Sequence, residues 1–520
     1  MNSMQLEKLC ASKNVSFQTV TRWQYVITEN ASLTDAMDRH AIGPWFVYTG
    51  TGVRTAALLD RHGEHFGYLV GIGVDQYGLV QGSYRIDSID AQSDEFFDSF
   101  EEWLYPVSGR YTILIGRDSE WRCYSDPVGM NGVVFDAGER QVASSLALCL
   151  NREVICHPLY DHESVTRGEL RYSLFHTKDA YAKRGNPNCY LDLRTFSEHR
   201  FWPKEEGLGT TSDLIGTYEF LTKRTREIIG VLNKNFSTGL PLSGGQDSRL
   251  LLAMSGPEIK NFGQCFTQIH NYAARIDAAI AGKLAEIADI EHLALDRRKI
   301  KPTKRQTALA KQEFMVAAGL EIPLPREIMC GLHTGIADGS VVIRGHQTDL
   351  LRAVLTDRLG EKGRENLFWQ LKRLLVPYGA KTAPELYEQF KPFYENWIAT
   401  LPRDTLSNQI DLMFTEIFYS STVGLTFPAF PRYFLMSAFN SRQQIQGAAQ
   451  IDETYRRSGS AVFDIIFMNS QEIHNFPFDF EYDEAKKLVF FDDEELVTAA
   501  TRERRENTSA RFEKLLREGS

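Results

Sequence analysis

No stretch of this chain stays apolar and uninterrupted over the roughly 20 residues that a membrane-spanning helix needs. Residues 1–8 also lack the charged-then-apolar run of a signal peptide. Cysteine is scarce and scattered. Cys10, Cys123, Cys149, Cys156, Cys189, Cys265 and Cys330 are odd in number and form no Cys-x-x-Cys pair. That pattern argues for a reducing compartment and against a zinc site, and it predicts a soluble cytoplasmic protein. Positive charge is short as well. A net charge of −10 leaves no general basic face, so nucleic acid is not an expected partner and neither is a membrane. Internal repeats and low-complexity tracts are absent.

What is present is globular material. The 43% hydrophobic content excludes a mostly disordered chain, and 520 residues exceed what one core organises, which predicts two domains. Residues 1–205 read as mixed strands and short helices. Pro44-Trp45-Phe46-Val47-Tyr48 and Tyr111-Thr112-Ile113-Leu114-Ile115 are β-branched and aromatic runs, as strands should be. Turn-rich segments at 125–129 and 136–138 bracket a further strand at 132–135. Pro203 and the polar stretch after it predict a hinge, dividing the chain into domains 1–205 and 206–520. A helix follows, with Leu214, Tyr218, Leu221, Thr225 and Ile228 near one face. Strands at 240–242, 261–266 and 340–343 then alternate with helices that start at Ser248 and cover 276–290. Such alternation predicts an α/β domain on a parallel sheet. Beyond Arg352 the pattern is mostly helical and ends in a charged, solvated helix at 493–517.

The strongest local signal is Pro241-Leu242-Ser243-Gly244-Gly245-Gln246-Asp247-Ser248-Arg249, where a strand runs through two glycines into a helix. Glycines let the backbone approach a polyanion, and a helix N-terminus presents free N–H groups to it. Ser243 and Ser248 add hydroxyl donors, and Asp247 is placed to hold a Mg²⁺ that bridges phosphate oxygens. A lone Gly-Gly would read as a turn capping a helix, with Asp247 an ordinary first-turn acid. The longer string, flanked by Leu242 and Leu250-Leu251-Leu252, is more specific and predicts a nucleotide site.

This loop resembles the pyrophosphatase loop of the asparagine synthetase superfamily, whose members cleave ATP between the α and β phosphates. The likeness continues through Asp277, Ala281, Leu284-Ala285 and Ile290-Glu291-His292. Cys265-Phe266 matches the strand that lines the family's adenine pocket. Arg344-Gly345-His346-Gln347-Thr348-Asp349 resembles the second signature, Gly-x-Gly-x-Asp, with Gln347 in place of the second glycine. The resemblance implies that Leu242, Ser243, Gly244, Gly245, Asp247, Ser248, Cys265, Phe266 and Gly345 hold ATP. It also implies that Asp247 and Asp349 hold Mg²⁺; the weaker alternative is that Asp349 caps a helix after a strand. In the first half, Ser108-Gly109-Arg110-Tyr111, the 125–129 turn, Val133-Val134-Phe135, Ala143-Ser144-Ser145, Pro187-Asn188 and Arg200-Phe201-Trp202-Pro203 are similar to the family's glutaminase domain. The implied fold is α/β: an N-terminal Ntn-type αββα sandwich and a C-terminal doubly wound ATP-pyrophosphatase domain with a helical end.

Three departures bear on function. Glutamine-dependent members place a cysteine directly after the initiator methionine; here Asn2 stands there, and an amide cannot attack. Cys10 would serve only after loss of the first nine residues. The expectation is therefore a relic domain and an enzyme without its own glutaminase, as in β-lactam synthetase, carbapenam synthetase and lasso-peptide cyclases. His346 is the second departure, at a position where lasso cyclases also carry histidine. A histidine titrating near neutral suits removal of a proton from the attacking amine, and the alternative is one that only hydrogen-bonds at a strand end. Third, the family's late lysine is missing, with Arg442, Arg456, Arg457, Lys486 and Lys487 the nearest cations; Arg249 either touches phosphate or packs at a domain interface. The expected reaction is adenylation of a carboxylate followed by amide formation, on a small molecule or peptide that supplies the carboxylate, with the amine either its own or external. A partner protein from the same biosynthetic cluster is a further expectation. An asparagine synthetase or sugar amidotransferase fed with ammonia, and a non-catalytic ATP-binding partner, stay open beside it.

Overall fold

The computed structural model describes residues 4–319, 322–377, 385–482 and 497–518. Two short helices, Gln5–Lys13 and Phe17–Val20, precede the first strand, Tyr25–Thr28. That strand lies inside a six-stranded antiparallel sheet, between Gln141–Ala143 and Trp45–Thr49. A second, seven-stranded sheet centres on His65–Val74 and Ser108–Arg117. It is antiparallel apart from the pair Thr55–Leu59 with Gly82–Arg85. Side-chain alternation along a strand decides what each face does. Leu114 joins Ile27, Val47 and Val142 in the core between the sheets, while Tyr111, Ile113 and Ile115 join the opposite core with Phe96, Phe100 and Leu104. Those three come from the helix Phe96–Leu104, whose apolar residues recur at three- and four-residue spacing and so form one stripe. Helices pack on the outer face of the six-stranded sheet as well, with Val26 and Ala143 sharing a core with Leu146 and Leu148.

Residues 201–213 form an irregular stretch before the long helix Leu214–Asn235, and the expected boundary at 205 falls within it. Five parallel strands follow: β1 (Thr238–Pro241), β2 (Gln264–Ile269), β3 (Leu293–Asp296), β4 (Val341–Ile343) and β5 (Phe434–Met436). Their order in the sheet is β3-β2-β1-β4-β5, every pair parallel. Val341-Val342-Ile343 and Phe434-Leu435-Met436 are continuous apolar runs, as strands covered on both faces require. Helix α1 (Gln246–Ser255) follows β1, and α2 (Ala273–Ile287) follows β2. Because β2 and β3 lie to one side of β1 and β4 and β5 to the other, the winding reverses between β1 and β4. The crevice at their carboxyl ends is the topological switch point, where open α/β sheets bind ligands.

After β4 the chain is largely helical and includes a π-helical turn, Met413–Phe418. The charged helix expected at 493–517 is found as Ala499–Glu518, with 493–496 outside the described residues. No helix among the described residues is long and apolar enough to cross a membrane. The largest apolar core draws on both halves, from Met4 to Tyr482. Their seam also buries charge: Glu416 accepts from Asn186 at 3.0 Å, Asn188 at 3.1 Å, Trp397 at 2.7 Å, and Arg200 at 2.6 and 2.9 Å. These five bonds and the ion pair hold its carboxyl below the usual glutamate range despite full burial.

Candidate functional site

A cavity of about 310 Å³ opens at the switch point. Leu242, Ser243, Asp247, Ser248, Phe266, Gly345, His346 and Asp349 all line it. Cys265 does not; it is buried in the core next to Phe266 on β2, where successive side chains face opposite ways. Gly244 and Gly245 belong to the loop but not to the lining.

The loop is held from within. Leu242 N–H donates to the Phe266 carbonyl at 2.8 Å, which continues the β1–β2 pairing past the strand end. Ser243 N–H donates to Ser248 Oγ at 3.0 Å, the two hydroxyls meet at 2.9 Å, and Gly245 N–H donates to Ser243 Oγ at 3.3 Å. Gly244 N–H donates to Asp277 Oδ1 at 3.2 Å, so a carboxyl oxygen from α2 already occupies this loop. A Cβ on Gly244 would fall 2.7 Å from Ile280 Cδ1, at the end of a side chain from α2 that would have to turn aside. One on Gly345 would fall 2.9 Å from the Asp247 carbonyl, so glycine lets the two loops abut. Arg249 takes neither role expected of it in full. It is buried, donates to the Phe476 and Pro477 carbonyls at 2.6 and 2.8 Å, and stacks 3.7 Å from the Phe478 ring centre. A third, longer bond to the Gly244 carbonyl at 3.3 Å ties segment 476–478 to the glycine loop, all within the second half.

Past β4, Gln347 has φ +67°, the left-handed region that favours glycine. The backbone of the Gly-x-Gly-x-Asp resemblance is thus kept while the side chain is not. The Gln347 amide is wholly buried with no hydrogen-bond partner. A 3₁₀ turn, Thr348–Arg352, follows and ends at left-handed Ala353. Residues three apart eclipse in such a turn, which puts Asp349 and Arg352 on one side. Arg352 Nη2 donates to both oxygens of Asp247 at 2.6 Å and to Asp349 Oδ1 at 2.9 Å. Tyr419, from the helix Tyr419–Thr426, donates its hydroxyl to Asp349 Oδ2 at 2.8 Å and accepts the Gln347 N–H at 3.2 Å. The two carboxylates therefore converge on a single guanidinium nitrogen. Burial first, and the charge of Asp349 second, push the Asp247 carboxyl upward, and Arg352 opposes the rise.

His346 corrects one expectation. Burial, aided by Arg344, pushes its imidazole down to about 3, not near neutral. Its Nδ1 is buried without a partner, and its ring lies edge-on to Phe427 at 5.3 Å. It is therefore a neutral imidazole at ordinary pH, in the form a base needs but a weak one. Asn2, Lys486 and Lys487 lie outside the described residues. Cys10 sits mid-helix, and burial pushes its thiol up to about 11, so little thiolate forms there. Arg456 pairs with Asp411 at 2.7 Å and Arg442 binds carbonyls of the first half, which commits both away from the cavity.

Two converging carboxylates are hard oxygen donors of the kind Mg²⁺ takes alongside phosphate oxygens, so the donor chemistry fits that ion. No group of three or more histidine, cysteine or acidic side chains among the described residues is placed to hold a metal by itself. Sequence reasoning missed Arg352, whose three-residue offset from Asp349 was a usable signal, and Tyr419, which carried none. No protein-family model matches this chain, and no curated protein matches it.

Proposed function

We propose that this chain is an ATP-dependent, AMP- and pyrophosphate-forming carbon–nitrogen ligase of asparagine synthetase type, without glutaminase activity of its own. The observation that carries this reading is the meeting of loop 243–248 with Asp349 at the switch point of a parallel sheet. In this reading the hydroxyls of Ser243 and Ser248 and the loop N–H groups bind phosphate, with Gly244 exchanging Asp277 for a phosphate oxygen. Asp247 and Asp349 hold Mg²⁺, which when bound neutralises charge on the departing pyrophosphate. Phe266 lines the base pocket, and neutral His346 accepts a proton from the amine that attacks the activated carboxyl carbon.

The first half, two sheets between helical layers, is read as an Ntn-type αββα sandwich that has lost its nucleophile. The buried Cys10 thiol and a first strand that begins only at Tyr25 support this. The amine then comes from the substrate, a small molecule or peptide of specialised metabolism in the cytoplasm, with a partner protein of the same cluster. The test is pyrophosphate release from ATP against a panel of carboxylates, with and without glutamine. Release that depends on one carboxylate and is indifferent to glutamine is expected; no release with any carboxylate, ammonia included, sinks the reading. A second reading, nucleotide binding without chemistry, draws on Arg352 filling the point where the two aspartates meet. It predicts tight nucleotide binding and no pyrophosphate.

A further inference from the structure

Four carboxylate oxygens meet at the head of the 3₁₀ turn, and protein donors hold all four. Arg352 takes three through Nη2 and adds a bond from Nε to Asp247 Oδ1 at 3.1 Å, while Tyr419 takes the fourth. Bonds between guanidinium and carboxylate are charge-assisted and stronger than neutral ones. They also carry geometry, since a planar fork fixes where both carboxylates stand. A divalent ion would draw on the same oxygens, and the like charge of the guanidinium would repel it. Arg352 is reachable from solvent, with its side chain 23% exposed, and its long stem starts at the last residue of the turn. The oxygens of a polyphosphate lying on loop 243–248 would offer that stem a second set of acceptors.

We propose that Arg352 is an internal cation that competes with a divalent metal for Asp247 and Asp349. It yields them when a nucleotide brings the metal and takes phosphate oxygens in exchange. This rests on the reading of the two aspartates as metal ligands. The metal alone then binds weakly, and nucleotide and metal bind together. Arg352 thus sets the order of assembly and keeps two like charges paired beforehand.

The experiment uses Mn²⁺ as the probe, with free ion measured by electron paramagnetic resonance over the purified full chain. It is run with and without α,β-methylene-ATP. Without the analogue, Arg352→Met should bind Mn²⁺ about 10- to 100-fold more tightly than wild type, a span usual for coupled binding events. With the analogue the two affinities should draw closer. Equal or weaker binding by Arg352→Met that melts like wild type overturns the proposal. If that variant does not fold, Arg352→Lys carries the test: it loses the fork, so tightening is expected, and no change overturns the proposal. Asp247→Asn separates the two ideas. Mn²⁺ binding lost in that variant but indifferent to residue 352 removes only the role of Arg352. Binding unaffected by Asp247→Asn removes the metal-ligand reading and this inference with it.

Discussion

Asp247 and Asp349 grip one nitrogen between them, so they act as a pair and not as two independent acids. Either Asp247→Ala or Asp349→Ala should abolish pyrophosphate release, and the double variant should be little worse, as for residues that work as a unit. Release assays on the three variants decide it, and near-normal turnover in either single variant ends the assignment. His346→Ala should lower amide formation by about 10²–10⁴-fold, the usual cost of removing a general base. Pyrophosphate exchange into ATP should persist, because adenylation takes no proton from an amine. The pH dependence follows from the direction of the shift. A group held down at about 3 stays deprotonated through pH 5–8, so His346 should add no acidic limb in that range. A limb near 6.5 in the wild-type amide step, absent from His346→Ala, would show that the imidazole is not held down.

Between residues and fold stand the loops, and here Gly345 is the sharpest case. An alanine there meets the backbone of residue 247 and not a flexible side chain, so the loops must part. Gly345→Ala should cost about 1–3 kcal/mol, as overpacking does, and should weaken pyrophosphate exchange along with stability. Denaturant melts and exchange rates test both; an unchanged protein on both counts rules out the close approach as a constraint. The same elements show what the sequence made legible. The glycine loop, α1, α2 and β4 follow from local pattern because glycines, apolar period and short β-branched runs agree with one another. The strand expected at 261–266 runs instead from Gln264, since Pro257 opens a 3₁₀ turn that occupies residues 256–261. The three-residue β5, Phe434–Met436, was hidden inside a region that reads as helical, and only its pairing with β4 makes it a strand. Tyr419 reaches Asp349 across 70 positions, a contact no window of sequence contains. The near-neutral histidine failed for a related reason, because desolvation is a property of what surrounds a residue.

At the scale of the molecule, the seam is apolar core with a buried carboxylate in it. Glu416 is fully enclosed, and its removal takes the carboxylate from Arg200, which keeps hydrogen bonds to the neutral Trp202 carbonyl and Thr400 hydroxyl. Glu416→Ala should therefore destabilise by about 3–5 kcal/mol, the cost of breaking a buried pair from one side. Because its folded pKa is depressed, its contribution is full above the ordinary glutamate range and fades as pH falls below that range. Melts between pH 3 and 7 should show wild type losing this margin on acidification while Glu416→Gln changes less. A flat difference between the two would contradict it. No glutamate should form from glutamine, and glutaminase activity lost in Cys10→Ala would revive a processed N-terminus.

Glu416 and Tyr419 are three positions apart on one run of helical backbone, from the π-helical turn into the helix that follows. The first is gripped by Asn186, Asn188 and Arg200, and the second grips Asp349. Substitutions in the first half are therefore not silent, whatever chemistry that half retains. In a random library sorted for lost turnover, codons 186, 188 and 200 should surface alongside those of the cavity wall. If the second half carries the proposed reaction, selection on that reaction is enough to keep the first half's sequence from drifting.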